Sequence, residues 1–226
     1  MEGDYPIGPR NAGTGSEEQL ALDVTALKTE IQRDGHATRR FVSYADCADY
    51  LLRVGTTIRR ASIDVDPARM ALLHTSSAMS PHTDHPAVDL IAWYCEEQCD
   101  GGGASLLVDF KAIKDSLGPD VLEALARINV VVPTRPRATP LKSIPMLSAA
   151  GLYYADWLVD EASKAQYAEV LEAFQEKIAT ARATSLRLRK GDMLIVDNKR
   201  VLHGREAITE TTTRRLLYRH WICLHA

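Results

Sequence analysis

The chain has 226 residues, of which 46% are hydrophobic and 25% charged, and its formal net charge is −3. This composition suits a globular domain with a sizeable core. It excludes a global basic field for nucleic acid, and no apolar run approaches the roughly 20 residues of a membrane span. The opening stretch, MEGDYPIGPRNAGTGSEE, is acidic, rich in Gly and Pro, and lacks the basic and apolar regions of a signal peptide, so the cytoplasm is the expected location. Four cysteines, Cys47, Cys95, Cys99 and Cys223, are expected as free thiols, because CEEQC has no second pair at zinc-site spacing.

Residues 1–17 are expected to form a flexible tail and residues 18–226 a single domain. Leu20, Val24, Leu27 and Ile31 recur at helical spacing and Gly35 can end that helix. A second short helix is expected in SYADCADYLLRVG, with Ser43 and Asp46 as a capping pair and Gly55 as its stop. Strand-like runs then dominate: TTIRRASIDV, ALLHTS, AVDLIAWYC, ASLLVDF, INVVVP, GLYYADW, TSLRLRK, DMLIVDN and RRLLYRHWICL, most punctuated by Gly, Pro, Asp or Asn. Two helical passages interrupt them. DFKAIKDSLGPDVLEALARIN suggests two short helices, with Asp109 as a cap and Pro119 in a first turn. DEASKAQYAEVLEAFQEKIATAR suggests one longer helix whose Tyr167, Val170, Leu171, Phe174 and Ile178 form a core-facing stripe. The pattern is mainly β with flanking helices: a β-barrel or jelly roll with helices outside it, or a β-sandwich with an added helical layer.

The stretch SPHTDHPAVD sets His82 and Asp84 two positions apart, which aims both side chains the same way in extended chain; His85 then points to the other side. A third ligand type, His203, follows the strand-like MLIVDN far downstream. Two imidazoles and one carboxylate can occupy one face of an octahedral ion and leave three positions open, an arrangement suited to ferrous iron that binds an organic co-substrate and dioxygen. In RRLLYRHWICL, Arg215, Leu217, Arg219 and Trp221 share one face and Leu216, Tyr218, His220 and Ile222 the other. An arginine on a core-facing strand must meet an anion, and its planar fork matches a carboxylate.

Taken together, HTD, DNKRVLHGR and RRLLYRHW resemble the iron(II)/2-oxoglutarate-dependent dioxygenases of the taurine dioxygenase and clavaminate synthase-like superfamily, over roughly residues 70–224. The resemblance implies a double-stranded β-helix, that is, a jelly-roll, cupin-like barrel. It implies His82, Asp84 and His203 as catalytic iron ligands, Arg215 as the holder of the distal carboxylate of 2-oxoglutarate, and Ser105 of GGAS as a hydroxyl partner for that carboxylate. Arg219 falls where some members direct a second arginine to the substrate or co-substrate. The implied cofactor is Fe(II), with 2-oxoglutarate and O2 as co-substrates and succinate as product. The implied reaction is oxidation of an unactivated C–H, by default hydroxylation, with desaturation and ring closure sharing its first step. Asp197 and Asn198 are candidate hydrogen-bond acceptors for the ligating histidines. The sequence departs from the family pattern in its short length, in Ser105 where Thr is commoner, and in Asp84 where clavaminate synthase is expected to carry Glu. The presence of a carboxylate argues against a halogenase.

Substrate contacts are expected from Arg135 and Arg137 in the Pro-rich PTRPRATPLK and from Tyr154 and Asp156 in GLYYADW, although a solvated basic loop is the simpler reading of the first. A strand-end turn accounts equally well for Asp156. The expected substrate is a small polar metabolite, an amino acid or an amino-acid-derived natural-product intermediate. The expected partners are that small molecule and, at most, a second copy in a homodimer, with no nucleic acid and no membrane. Two other readings compete: a zinc-dependent hydrolase, whose HTDH pattern lacks its first histidine because Ser80 stands there, and a non-catalytic jelly-roll binding module.

Overall fold

The structure, a computed structural model, describes residues 17–65, 74–133, 142–209 and 214–225. The expected tail lies outside them but for Glu17, which already begins a helix, and so do Arg135 and Arg137. In chain order the elements are α1 (Glu17–Asp34), β1 (His36–Arg40), α2 (Tyr44–Val54), β2 (Gly55–Asp64), β3 (Met79–His82), β4 (Leu90–Glu97) and β5 (Ser105–Asp109). Then follow α3 (Phe110–Lys114), α4 (Pro119–Leu125), β6 (Asn129–Val132), β7 (Lys142–Pro145), β8 (Leu147–Ser148), β9 (Gly151–Leu152), α5 (Glu161–Gln166) and α6 (Ala168–Thr180). The chain ends in β10 (Thr184–Leu186), β11 (Asp192–Asp197), β12 (Val201–Arg205) and β13 (Leu216–Leu224).

The helix signals act as local chemistry requires. Ser43 caps α2: its Oγ accepts from the Asp46 N–H at 3.2 Å and its hydroxyl donates to the Asp46 carboxylate at 2.7 Å. Asp109 caps α3 by accepting from the Lys111 N–H at 2.9 Å, and Pro119 opens α4. The long helix expected after residue 160 instead breaks at Tyr167, where φ is −119° and ψ is 29°. Ser163 of α5 accepts from the Asn129 N–H at 3.0 Å, while α6 buries Leu171, Phe174 and Ile178; the break lets the two segments make these separate attachments. Strand β1 was not expected, because HATRR carries no apolar alternation. The described part of ALLHTS, residues 74–76, is not a strand, and GLYYADW holds only the short β9 before a 3-10 turn at Asp156–Leu158.

Two sheets organise the molecule. The first has five strands in the order β1-β11-β4-β13-β2, and the second four, β10-β5-β12-β3. All these pairings are antiparallel. The sheets are hydrogen-bonded separately, so the described residues form no closed barrel. Between them lies a core of Ile63, Ile91, Leu194 and Leu217 from the larger sheet and Leu107 and Val201 from the smaller. Helices α1 and α2 cover the outer face of the larger sheet through Leu27, Ile31, Leu51 and Val54. Helices α3, α4 and α6 and the β6–β7 hairpin cover the smaller sheet, with Phe174 and Leu125 fully buried. Burial on this scale, at about 25 cal/mol per Å² of apolar surface, is the main force holding the layers together. The thiols of Cys47, Cys95, Cys99 and Cys223 are free.

Candidate metal centre and anion pocket

His82 ends β3 and lies opposite His203 of β12. Between these pairs and the next, Arg205 with Met79, the register shifts, so two residues of β3 face one of β12. Pro81 is tolerated there because β3 is an edge strand at an irregular step. Gly204 sits at the same place: a Cβ on it would lie 2.5 Å from the Met79 carbonyl oxygen, so only glycine lets the two strands approach this closely. The imidazole rings of His82 and His203 come within 4.6 Å, centroid to centroid.

Alternation turns Thr83 the other way. Its N–H donates to the Tyr154 carbonyl at 2.7 Å, and its Oγ accepts from the Tyr154 N–H at 2.8 Å. Asp84 therefore returns to the His82 side. The buried Asn198 fixes the turn that follows. Its Oδ1 accepts from the Asp84 N–H at 2.7 Å, and its Nδ2 donates to the carbonyls of Asp84, His85 and Val88. One potential ligand atom from each of His82, Asp84 and His203 lies within 4.8 Å of the others.

Each of the three is prepared differently. His82 donates from Nδ1 to the Ser80 carbonyl at 2.9 Å, which leaves the lone pair on Nε2, and burial keeps the ring neutral. Among the described residues His203 has no hydrogen-bond partner within ordinary reach at either ring nitrogen, its Nε2 lying 3.9 Å from Asp84 Oδ2. Burial, then neighbouring His82, pushes its pKa down to about 3. Two orphaned polar atoms in an apolar interior are costly unless a ligand takes one of them. Burial alone would raise the Asp84 carboxyl, but Arg219, His203, His82 and the Trp221 N–H together outweigh it and hold it low. Its Oδ2 accepts from Arg219 Nη1 at 3.1 Å and from Trp221 Nε1 at 2.9 Å. Two buried neutral imidazoles and one half-buried, ionised carboxylate fit a divalent cation.

Next to this group opens a pocket enclosing about 500 Å³, some of it open to solvent, lined by His82, His203, Ser105, Arg205, Arg215 and Arg219 among others. Arg215 is 4% exposed, and its one hydrogen bond among the described residues, from Nε to Gln98 Oε1 at 3.1 Å, goes to a neutral group. No carboxylate pairs with it among the described residues. Burial, then Arg205, pushes its pKa down to about 10. Gly103 makes room for it: a Cβ there would sit 3.4 Å from Arg215 Nε, on a backbone with φ +72°. Ser105 and Arg205 stand opposite each other across β5 and β12, so hydroxyl and guanidinium reach the same pocket.

The expected residues His82, Asp84, His203, Arg215, Ser105 and Arg219 thus come together. The expected residues also have other partners. Arg219 bonds the carboxylate of Asp84. Tyr154 packs in the outer core beside Phe174, 5.2 Å between ring centroids, and does not line the pocket. Asp156 is exposed and accepts from Gln175 Nε2 at 2.6 Å, while its neighbour Trp157 lies 5.0 Å from the His82 ring. Neither Asp197 nor Asn198 accepts from a histidine; the Ser80 carbonyl serves His82, Asp197 accepts from the Lys199 N–H, and Asn198 holds backbone. His85 accepts from the Ala87 N–H and stays outside the group of three. Sequence reasoning missed Arg205, although its place two residues after His203 puts it on the same strand face. The described residues offer one such group of possible ligands, too few for a dinuclear zinc site.

Residues 147–221, which carry His203, Arg215 and Arg219, match the family model described as "Taurine catabolism dioxygenase TauD, TfdA family". Solved structures match nearly the whole chain. An asparagine oxygenase, AsnO, superposes with a TM-score of 0.77 at 16% identity, covering 92% of this chain and 79% of that one. The chain shares the fold of this oxygenase. PvcB, described as an Fe, alpha-ketoglutarate dependent oxygenase from an isonitrile synthetic pathway, matches with a TM-score of 0.69 at 18% identity, over 90% of this chain and 80% of that one. The non-heme iron oxygenase OrfP, solved with Fe and alpha-ketoglutaric acid, gives 0.70 at 15% identity, over 91% and 81%. No curated protein matches the sequence significantly. The architecture, mainly β with flanking helices, agrees with the strand-rich reading, and no helix among the described residues is long and apolar enough to cross a membrane.

Proposed function

We propose that this chain is a non-haem iron(II)- and 2-oxoglutarate-dependent oxygenase that hydroxylates an unactivated C–H of a small polar metabolite, an amino acid or a derivative of one. One observation carries the reading. Two buried histidines, His82 and His203, and the half-buried Asp84 form a group in which neither His203 ring nitrogen has a hydrogen-bond partner among the described residues, and it adjoins a buried Arg215 that has no carboxylate among them. His82, Asp84 and His203 would hold the iron on one face, leaving positions for a keto acid and dioxygen. When bound, the iron supplies dioxygen activation and the oxidising power for C–H cleavage, coupled to conversion of 2-oxoglutarate to succinate and carbon dioxide.

The chain's own residues supply the rest. Arg215 offers a fork that takes a carboxylate through two hydrogen bonds, and Ser105 adds a hydroxyl donor. The Ser80 carbonyl holds the His82 tautomer. Trp93, 5.0 Å from the His203 ring, walls the site against water. Substrate class is inferred from relatives: AsnO has been solved with 3-hydroxyasparagine and succinate, and OrfP with hydroxylated arginines. Asp156, Arg135 and Arg137 remain the proposed substrate contacts. We read the two facing sheets as the halves of a double-stranded β-helix, residues 18–226 as one domain, and the cytoplasm as its location.

Incubation with iron(II), ascorbate, 2-oxoglutarate and a panel of free amino acids is expected to yield succinate, and Asp84→Ala is expected to abolish it. A wild-type protein that binds iron yet makes no succinate above that control, with any amino acid or none, overturns the reading.

A further inference from the structure

Among the described residues the Asp84 carboxylate has two direct hydrogen-bond donors, and one of them belongs to a residue that does not line the pocket. Trp221 Nε1 lies 2.9 Å from Asp84 Oδ2, and Arg219 Nη1 reaches the same oxygen at 3.1 Å. Resting on the metal-centre reading above, we propose that Trp221 is a positioning residue for the metal centre: its indole N–H holds the Asp84 carboxylate in the orientation in which it faces His203, whose Nε2 lies 3.9 Å from the same Oδ2.

The placement is built into the fold. Arg219 and Trp221 are two apart on β13, so both project from one face of the strand toward Asp84. The pairing of β13 with β2 shifts register between Trp221 and Ile222, and such irregularities re-aim the side chains beside them. The indole is itself held in place. The Arg59 guanidinium carbon stands 4.9 Å from its ring centroid, that of Arg219 5.3 Å, and the His85 ring 6.0 Å. Asp84, by contrast, follows the end of β3, and Asn198 anchors its backbone but not its carboxylate. The orientation of the carboxylate therefore depends on the two donors from β13.

The two donors are not equivalent. Arg219 is a cation, so it competes with a metal for the charge of Asp84. The indole N–H is neutral and can only donate. It fixes the direction of the carboxylate without opposing a cation that His82, Asp84 and His203 would hold.

The test uses the full chain and Mn(II) as the probe, followed by electron paramagnetic resonance. Wild type should bind Mn(II) and Asp84→Ala should not. Trp221→Phe, which keeps a ring and removes the N–H, should weaken binding about 10- to 100-fold, the usual cost of losing such a partner, with an unchanged urea midpoint. The Co(II) visible spectrum of the variant should also shift as the carboxylate reorients. Equal Mn(II) affinity and identical Co(II) spectra in wild type and Trp221→Phe overturn the proposal. Absence of Mn(II) binding by wild type overturns the metal-centre reading itself, and the proposal with it. Should Trp221→Phe misfold, the indole proton of Trp221 in wild type with Zn(II) bound decides: protection from exchange relative to the exposed Trp157 supports the proposal, and exchange as fast as Trp157 overturns it.

Discussion

His82 and His203 face each other, yet they are prepared by opposite means. A backbone carbonyl sets the tautomer of His82, whereas His203 meets no partner until a ligand arrives. Arg215 is the matching case on the anion side: a buried fork whose one bond goes to the neutral Gln98. Charge-assisted hydrogen bonds contribute about 1.5–3 kcal/mol. Arg215→Ala is therefore expected to raise the KM for 2-oxoglutarate about 10- to 100-fold, with little change in Mn(II) affinity; steady-state kinetics at varied keto acid would check it. At this scale the sequence was informative where spacing alone aims a side chain. His82 and Asp84 were legible from alternation, and Arg205 was equally legible from His203. The donor role of Trp221 was not, because it depends on a loop from another part of the chain lying beside β13.

At the scale of elements, the turn after β3 is held by one residue just beyond β11. Asn198 is 1% exposed and makes all its side-chain bonds to backbone groups between Asp84 and Val88. Its replacement by Ala strands buried amide and carbonyl groups. The expected cost is about 2–3 kcal/mol in urea unfolding, together with weaker metal binding, because Asp84 loses its backbone anchor. If stability falls while metal affinity stays at the wild-type value, Asn198 holds the fold but not the site. Capped helices were the most legible elements: Ser43, Asp109 and Pro119 act within a few residues of themselves. The single long helix expected after residue 160 failed at Tyr167 because its two halves attach to different layers. Strand β1 had no signal in HATRR; its pairing with β11 comes from a partner more than 150 positions away.

For the whole molecule, the buried histidines link folding to pH. His220 is 1% exposed, and burial, then Arg60, lowers its pKa from 6.5 to about 4. The unfolded chain takes up that proton near pH 6.5 and the folded chain only near 4, so the stability contribution is complete above 6.5 and is lost as pH falls toward 4. The loss amounts to about 3 kcal/mol by proton linkage. His203 acts in the same direction in metal-free protein, from 6.5 down to about 3. Urea midpoints measured between pH 7 and pH 4 should fall, and His220→Gln should flatten part of that slope. A midpoint independent of pH over this range would contradict the neutral burial of His220.

Local pattern by itself determined the strand-rich character, the capped helices, the pairing of His82 with Asp84, and the candidacy of His203 and Arg215, because alternation and capping act over a few residues. Only the tertiary structure decided that β3 and β12 run side by side, that Gly204 lets them close, that Arg219 turns to Asp84, and that Trp221 joins it there. These are contacts between segments separated by more than a hundred residues, and they depend on how the sheets stack rather than on any short stretch of chain.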